Sequence, residues 1–109
     1  MDKERTLERI KKIIKELIDG KNKEIVGNVI VDVLDINDLA LVKGNRIYFS
    51  KEVEKLSDNA LKYVIAHELA HLVVKSHSEK FWEIVRNLYP DYVKGKKEVE
   101  EFIARMKSR

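Results

Sequence analysis

The chain has 109 residues, of which 44% are hydrophobic and 38% charged, with a formal net charge of +3. That length and apolar content fit one domain with a real core. The absence of cysteine excludes disulfides and thiolate metal sites, the interleaving of acids with bases excludes a nucleic-acid footprint, and no apolar run is long enough to cross a bilayer.

Residues 2–19 read as an amphipathic helix. Leu7, Ile10, Ile14 and Leu17 recur at helical spacing, Ile13 and Ile18 widen the stripe, and Gly20 stops it. The period then changes. Over residues 24–34, Val29, Val31 and Val33 alternate with Ile30, Asp32 and Leu34, the pattern of a strand with one buried face. After a turn at 35–38, residues 39–43 and 46–50 form two short strands around the two-residue hairpin loop Gly44-Asn45, and 50–56 hold a helical turn. Three helices follow, over 58–75, 77–88 and 97–107. Pro90 ends the second of them, and a linker at 93–96 centred on Gly95 serves as a hinge. The fold class expected is α+β: an N-terminal helix, a small three-stranded and mostly antiparallel sheet, and three helices, all in a single domain spanning 1–109.

The helix at 58–75 carries His67-Glu68-Leu69-Ala70-His71, and His77 follows after five residues. These are the only three histidines in the chain. Histidines at i and i+4 share a helix face about one turn apart, so both imidazoles can reach one metal. Glu68 lies between them, turned to hold a water. Leu61, Ile65, Leu69 and Leu72 make a core-facing stripe, and the line of His67 and His71 through Ala60, Val64 and Val74 is apolar as well. Imidazoles in such surroundings need a partner. The competing reading, two surface histidines on a helix, fits that setting less well. Ser76 and Glu79 have the spacing of a capping box, which makes His77 the first residue of the next helix, where a turn can swing it back toward the first two. The alternatives are a solvent-facing His77, with Glu79 or Glu83 as third ligand.

The string His-Glu-Leu-Ala-His-Leu, then His-Ser-x-x-Phe-Trp, resembles the minigluzincins, small soluble zinc metallopeptidases of gluzincin type with a histidine as third ligand. Residues 64–82 carry the resemblance most strongly. It implies a zincin-like minimal catalytic domain, one catalytic Zn2+ on His67, His71 and His77, and Glu68 as general base and acid in peptide-bond hydrolysis. Metzincins place a glycine where this chain has Val74 and need a methionine turn, whereas Met106 sits in a helix-like segment. Peptide deformylases take a cysteine ligand. Minigluzincins resemble zymogens whose C-terminal segment covers the cleft, which assigns residues 91–109 to latency. Glu98, Glu100 or Glu101 would then approach the metal or the cleft rim. A joint at Gly95 would also let the last helix dock on a second copy, giving a swapped homodimer. The plain alternative is a helix packed on its own core.

The expected substrate is a peptide or protein, laid along a strand of the hairpin by main-chain hydrogen bonds. A second oxyanion donor is usual, and Tyr48, Tyr63, Tyr89, Tyr92 and Arg86 are the candidates. The rival function is a non-catalytic zinc-binding regulatory or interaction module, against which Glu68 argues. No nucleic-acid or membrane partner is expected. The N-terminus Met-Asp-Lys-Glu-Arg is unlike a signal peptide, which points to the cytoplasm. The mixed charge, plentiful isoleucine, single proline and absent cysteine point to a thermophilic source.

Overall fold

The computed structural model describes residues 2–19 and 28–108. Residues 24–27 of the expected first strand, and Gly20, lie outside them. Among the described residues there are four α-helices and one three-stranded sheet: α1 (Lys3–Leu17), β1 (Ile30–Leu34), β2 (Ala40–Lys43), β3 (Arg46–Ser50), a 3₁₀ turn (Lys51–Lys55), α2 (Asp58–His71), α3 (Glu79–Leu88) and α4 (Tyr92–Lys107). The α+β class holds. None of these helices is long and apolar enough to cross a membrane.

The strand order is β1-β3-β2. β2 and β3 form the expected antiparallel hairpin, with Ala40 opposite Phe49 and Lys43 opposite Arg46. Gly44 takes φ +61, a left-handed conformation that glycine adopts at no steric cost in a two-residue loop. β1 pairs with β3 in parallel, Ile30 opposite Arg46 and Leu34 opposite Ser50, so the sheet is mixed and β3 is its centre. Of the two hairpin strands expected to hold substrate, β3 is paired on both sides, and among the described residues β2 has a free edge.

α1 and α2 pack over the sheet with Ile10, Ile14, Ile47, Phe49, Leu61, Ile65 and Leu69 between them, all nearly or fully buried. Arg9 of α1 ties itself to the start of α2, donating to the Leu56 carbonyl at 2.9 Å and to Asp58 Oδ1 at 2.8 Å. Ser57 caps α2, its Oγ accepting from the Ala60 amide at 3.1 Å.

The helix boundaries differ from the sequence expectation at three places. α2 stops at His71 rather than 75. The β-branched pair Val73-Val74 is a weak helix former, and Val73 is exposed and gains nothing by burial. The amides of Leu72, Val73 and Val74 close down the last turn onto Glu68, Leu69 and Ala70 carbonyls. α3 begins at Glu79 with Ser78 as its cap, its Oγ accepting from the Phe81 amide. Ser76 is therefore not the cap, and His77 precedes the helix. α4 begins at Tyr92, which puts the expected linker at 93–96 and its Gly95 hinge inside a helix. Gly95 is buried there for a steric reason. A Cβ at this position would lie 2.4 Å from the Asn59 carbonyl oxygen and 2.8 Å from Tyr63 Cβ. The glycine lets α4 lie directly on α2.

Four side chains then lock that contact. Val99 and Phe102 are buried beneath α4. Glu98 accepts from Ser57 Oγ at 2.5 Å and from Asn59 Nδ2 at 3.1 Å, and these two bonds hold its carboxyl below the usual carboxylate range. Tyr89 Oη donates to Asn59 Oδ1 at 3.3 Å. Gly95→Ala should destabilise the protein by about 1–3 kcal/mol, the usual cost of overpacking. Chemical unfolding measures this, and an unchanged midpoint would contradict the close approach.

Candidate metal centre

His67 and His71 leave α2 on one face, and the chain doubles back over residues 72–76 to present His77 from outside any helix. His77 Nε2 lies 3.1 Å from His71 Nε2 and 3.3 Å from His67 Nε2. The three histidines form the group, among the described residues, that is positioned to bind a metal. Glu79 and Glu83, the competing third ligands, are exposed on α3 and outside that group. Glu98 is occupied with Ser57 and Asn59 at the far end of α2, so it does not approach the histidines. His67 and His71 are half-buried and His77 is exposed.

Hydrogen bonds set the tautomers of two rings. His67 Nδ1 lies 3.0 Å from Glu68 Oε1, and an ionised carboxylate only accepts, so Nδ1 carries the proton and Nε2 keeps its lone pair. His71 Nδ1 lies 3.2 Å from the Val74 carbonyl, which imposes the same tautomer. That bond is available because α2 has already ended and Val74 has turned its oxygen inward. Burial pushes the His71 imidazole below its ordinary pKa, against the opposing pull of the Val74 carbonyl, and so favours the neutral form that ligates.

The floor of the cluster is Phe81, fully buried, with its ring centroid 5.1 Å from His67, 4.5 Å from His71 and 4.9 Å from His77. Trp82 flanks His77 and His67 from the other side, at 6.2 and 6.3 Å. In the sequence these two aromatic residues stood only as the end of the string His-Ser-x-x-Phe-Trp, with no role at the histidines assigned to them. The usable signal was spacing, since Phe81 stands four residues after His77.

Beside Glu68, which is only 8% exposed, a cleft of ≈ 300 Å³ opens between residues 38–40, at the start of β2, and α4. Asp38, Leu39 and Ala40 line one side, Val99 and Ile103 the other, and Tyr63, Val64, His67 and Glu68 the base. Of the five expected oxyanion donors, only Tyr63 lines this cleft. Its phenol is pushed up to about 12, mainly by burial and further by Glu100, Tyr92 and Glu68, so it remains a proton donor at neutral pH. Tyr89 is bonded to Asn59, and Tyr92 is stacked on Trp82.

Comparison with known proteins agrees with this geometry. In fold, the chain is similar to the metallopeptidase zymogen of Pyrococcus abyssi abylysin, with a TM-score of 0.71 and 22% identity, over 90% of this chain and 95% of that one. This likeness accords with the minigluzincin resemblance seen in the sequence. No sequence among curated proteins matches. The profile of the YgjP-like metallopeptidase domain matches residues 40–102, which take in β2, the three histidines and most of α4. By that match, over more than half of its length, the chain belongs to the YgjP-like metallopeptidase family and is a metal-dependent peptidase.

Proposed function

We propose that the protein is a zinc-dependent endopeptidase with His67, His71 and His77 as ligands and Glu68 as general base and acid. The observation that carries this reading is the convergence of the three Nε2 atoms. A tetrahedral ion with metal–nitrogen bonds of about 2.0–2.1 Å spaces its ligands about 3.3–3.4 Å apart, and the nitrogens here stand 3.1 and 3.3 Å apart. Three neutral imidazoles suit zinc well. Bound there, the ion would acidify a water and polarise the substrate carbonyl.

The remaining work belongs to the chain. A peptide lies extended in the cleft and adds main-chain hydrogen bonds to the edge of β2. Leu39, Val99 and Ile103 present apolar walls to its side chains. Glu68 takes the proton of the attacking water and delivers it to the leaving amine. Its burial keeps bulk water from competing for that proton. Tyr63 donates to the carbonyl oxygen as charge builds there. Both groups reach the same cleft because they stand on one helix, five residues apart.

The position of α4 supports latency. Val99 and Ile103 form the wall facing β2, so seating this helix narrows the space a substrate strand must enter. α4 rests on α2 of its own chain, the intramolecular form of such a block. Because Gly95 is helical, exchange of α4 between two copies would need its joint at Pro90-Asp91, the short segment between α3 and α4.

Glu68→Gln should retain a stoichiometric zinc and lose at least about 10²-fold in kcat, within the range for a general base. Metal analysis and a peptide-cleavage assay on the two proteins read this. Turnover that survives the change removes Glu68 from the mechanism, and a zinc-loaded but inert wild type favours a binding module. Tyr63→Phe should lower kcat about 10²-fold with little effect on KM, as for loss of one oxyanion donor. A raised KM at constant kcat would make Tyr63 a binding residue instead. Ile103→Ala, which widens the cleft and leaves the buried anchors Val99 and Phe102 in place, should speed cleavage of an unstructured protein substrate. An unchanged rate would count against latency.

A further inference from the structure

The three histidines are not held equally. His67 and His71 rise from a helix, and each has its Nδ1 bonded to a fixed acceptor. His77 lies outside any helix, is exposed, and among the described residues its Nδ1 has no such bond. Its orientation rests on ring packing. Phe81 meets it edge-on, with planes 86° apart. Trp82 lies across it in a stacked arrangement, 27° between planes and 6.2 Å between centroids, within the range of favourable aromatic pairs.

Trp82 is itself held by α4. Tyr92 stacks on it at 5.8 Å and 29°, and Lys96 Nζ stands 5.2 Å from its ring centroid, at cation–π distance. Tyr92 opens α4 and Lys96 follows one turn later. Gly95, between them, lies close against the α2 backbone at Asn59. A continuous line of ring contacts therefore runs from His77 through Trp82 to the N-terminal turn of α4.

We propose that Trp82 is the positioning residue for His77, and that α4, through Tyr92 and Lys96, sets how tightly the site holds its metal. The proposal rests on the histidine site described above. Trp82 touches no reacting atom in this scheme. It restricts the swing of a ring whose Nδ1, among the described residues, has no hydrogen bond to restrict it, the role that outer partners of metal ligands ordinarily fill. It also gives α4 a second connection to the centre besides its wall of the cleft: displacing this helix would open the groove and loosen the third ligand together.

The test is metal affinity, by competition between the full-length chain and a chelator for Zn2+, together with the visible spectrum of the Co2+ form. His77→Ala is the reference. Trp82→Leu should weaken Zn2+ binding about tenfold or more, the usual consequence of losing an outer partner, and should alter the Co2+ spectrum. Trp82→Phe, which keeps a ring face, should restore most of both. Tyr92→Leu should shift affinity in the same direction by less. If His77→Ala binds metal as the wild type does, the ligand set fails. If His77→Ala weakens binding while Trp82→Leu leaves affinity and spectrum unchanged, the ligand set stands and the positioning role is overturned. Should Trp82→Leu not fold without metal, Tyr92→Leu decides, and wild-type affinity in that variant overturns the link to α4.

Discussion

The centre depends on a chain reversal between His71 and Ser78. Helix geometry alone brings two imidazoles to one face, because residues four apart are about one turn apart. A third nitrogen must come from a segment that leaves the helix and returns. The last turn of α2 winds down onto the carbonyls of Glu68, Leu69 and Ala70, and the Val74 oxygen is then directed at His71. Ser78 starts the next helix at once, and Phe81, one turn in, slides beneath all three rings. Ligand convergence, tautomer and floor thus follow from one turn. A helix continuing to 75 would have separated them.

Around that turn the protein divides support from access. Phe81, Leu69 and Ala70 are fully buried and make a rigid base. The opposite side faces the cleft between β2 and α4. Glu68 sits at the junction, buried yet lining the opening, and bonded to the Nδ1 of the histidine before it. One carboxylate therefore orients a candidate ligand and faces the cleft. With β3 at the centre and β1 on its other side, β2 is an edge strand among the described residues.

Much of this was legible in the sequence, for reasons that can be stated locally. The α+β class followed from a change of apolar period between residues 18 and 29, and the hairpin followed from Gly44-Asn45 between two short apolar runs. The candidate ligands were legible because there are only three histidines and two of them have helical spacing. Three features were not legible because they depend on what lies across from a residue. Gly95 looked like a break, yet its missing side chain admits the Asn59 carbonyl. Ser76 and Glu79 had capping-box spacing, yet Ser78 supplies the cap. Phe81 and Trp82 were only the end of a resembling string until the reversal placed the histidines against them. The parallel pairing of β1 was hidden for the same reason, since nothing within that strand records which neighbour it joins.

The seat of α4 on α2 also limits how the enzyme could be modulated. The notch at Gly95 admits backbone and nothing larger, and the Glu98 carboxylate straddles Ser57 and Asn59 on the facing helix. Advancing α4 by a turn would drive Val99 into the notch and pull the carboxylate off both partners. The helix therefore has no intermediate stops along its neighbour. Its seating has a switch's behaviour rather than a dial's: docked at one register, or released entirely.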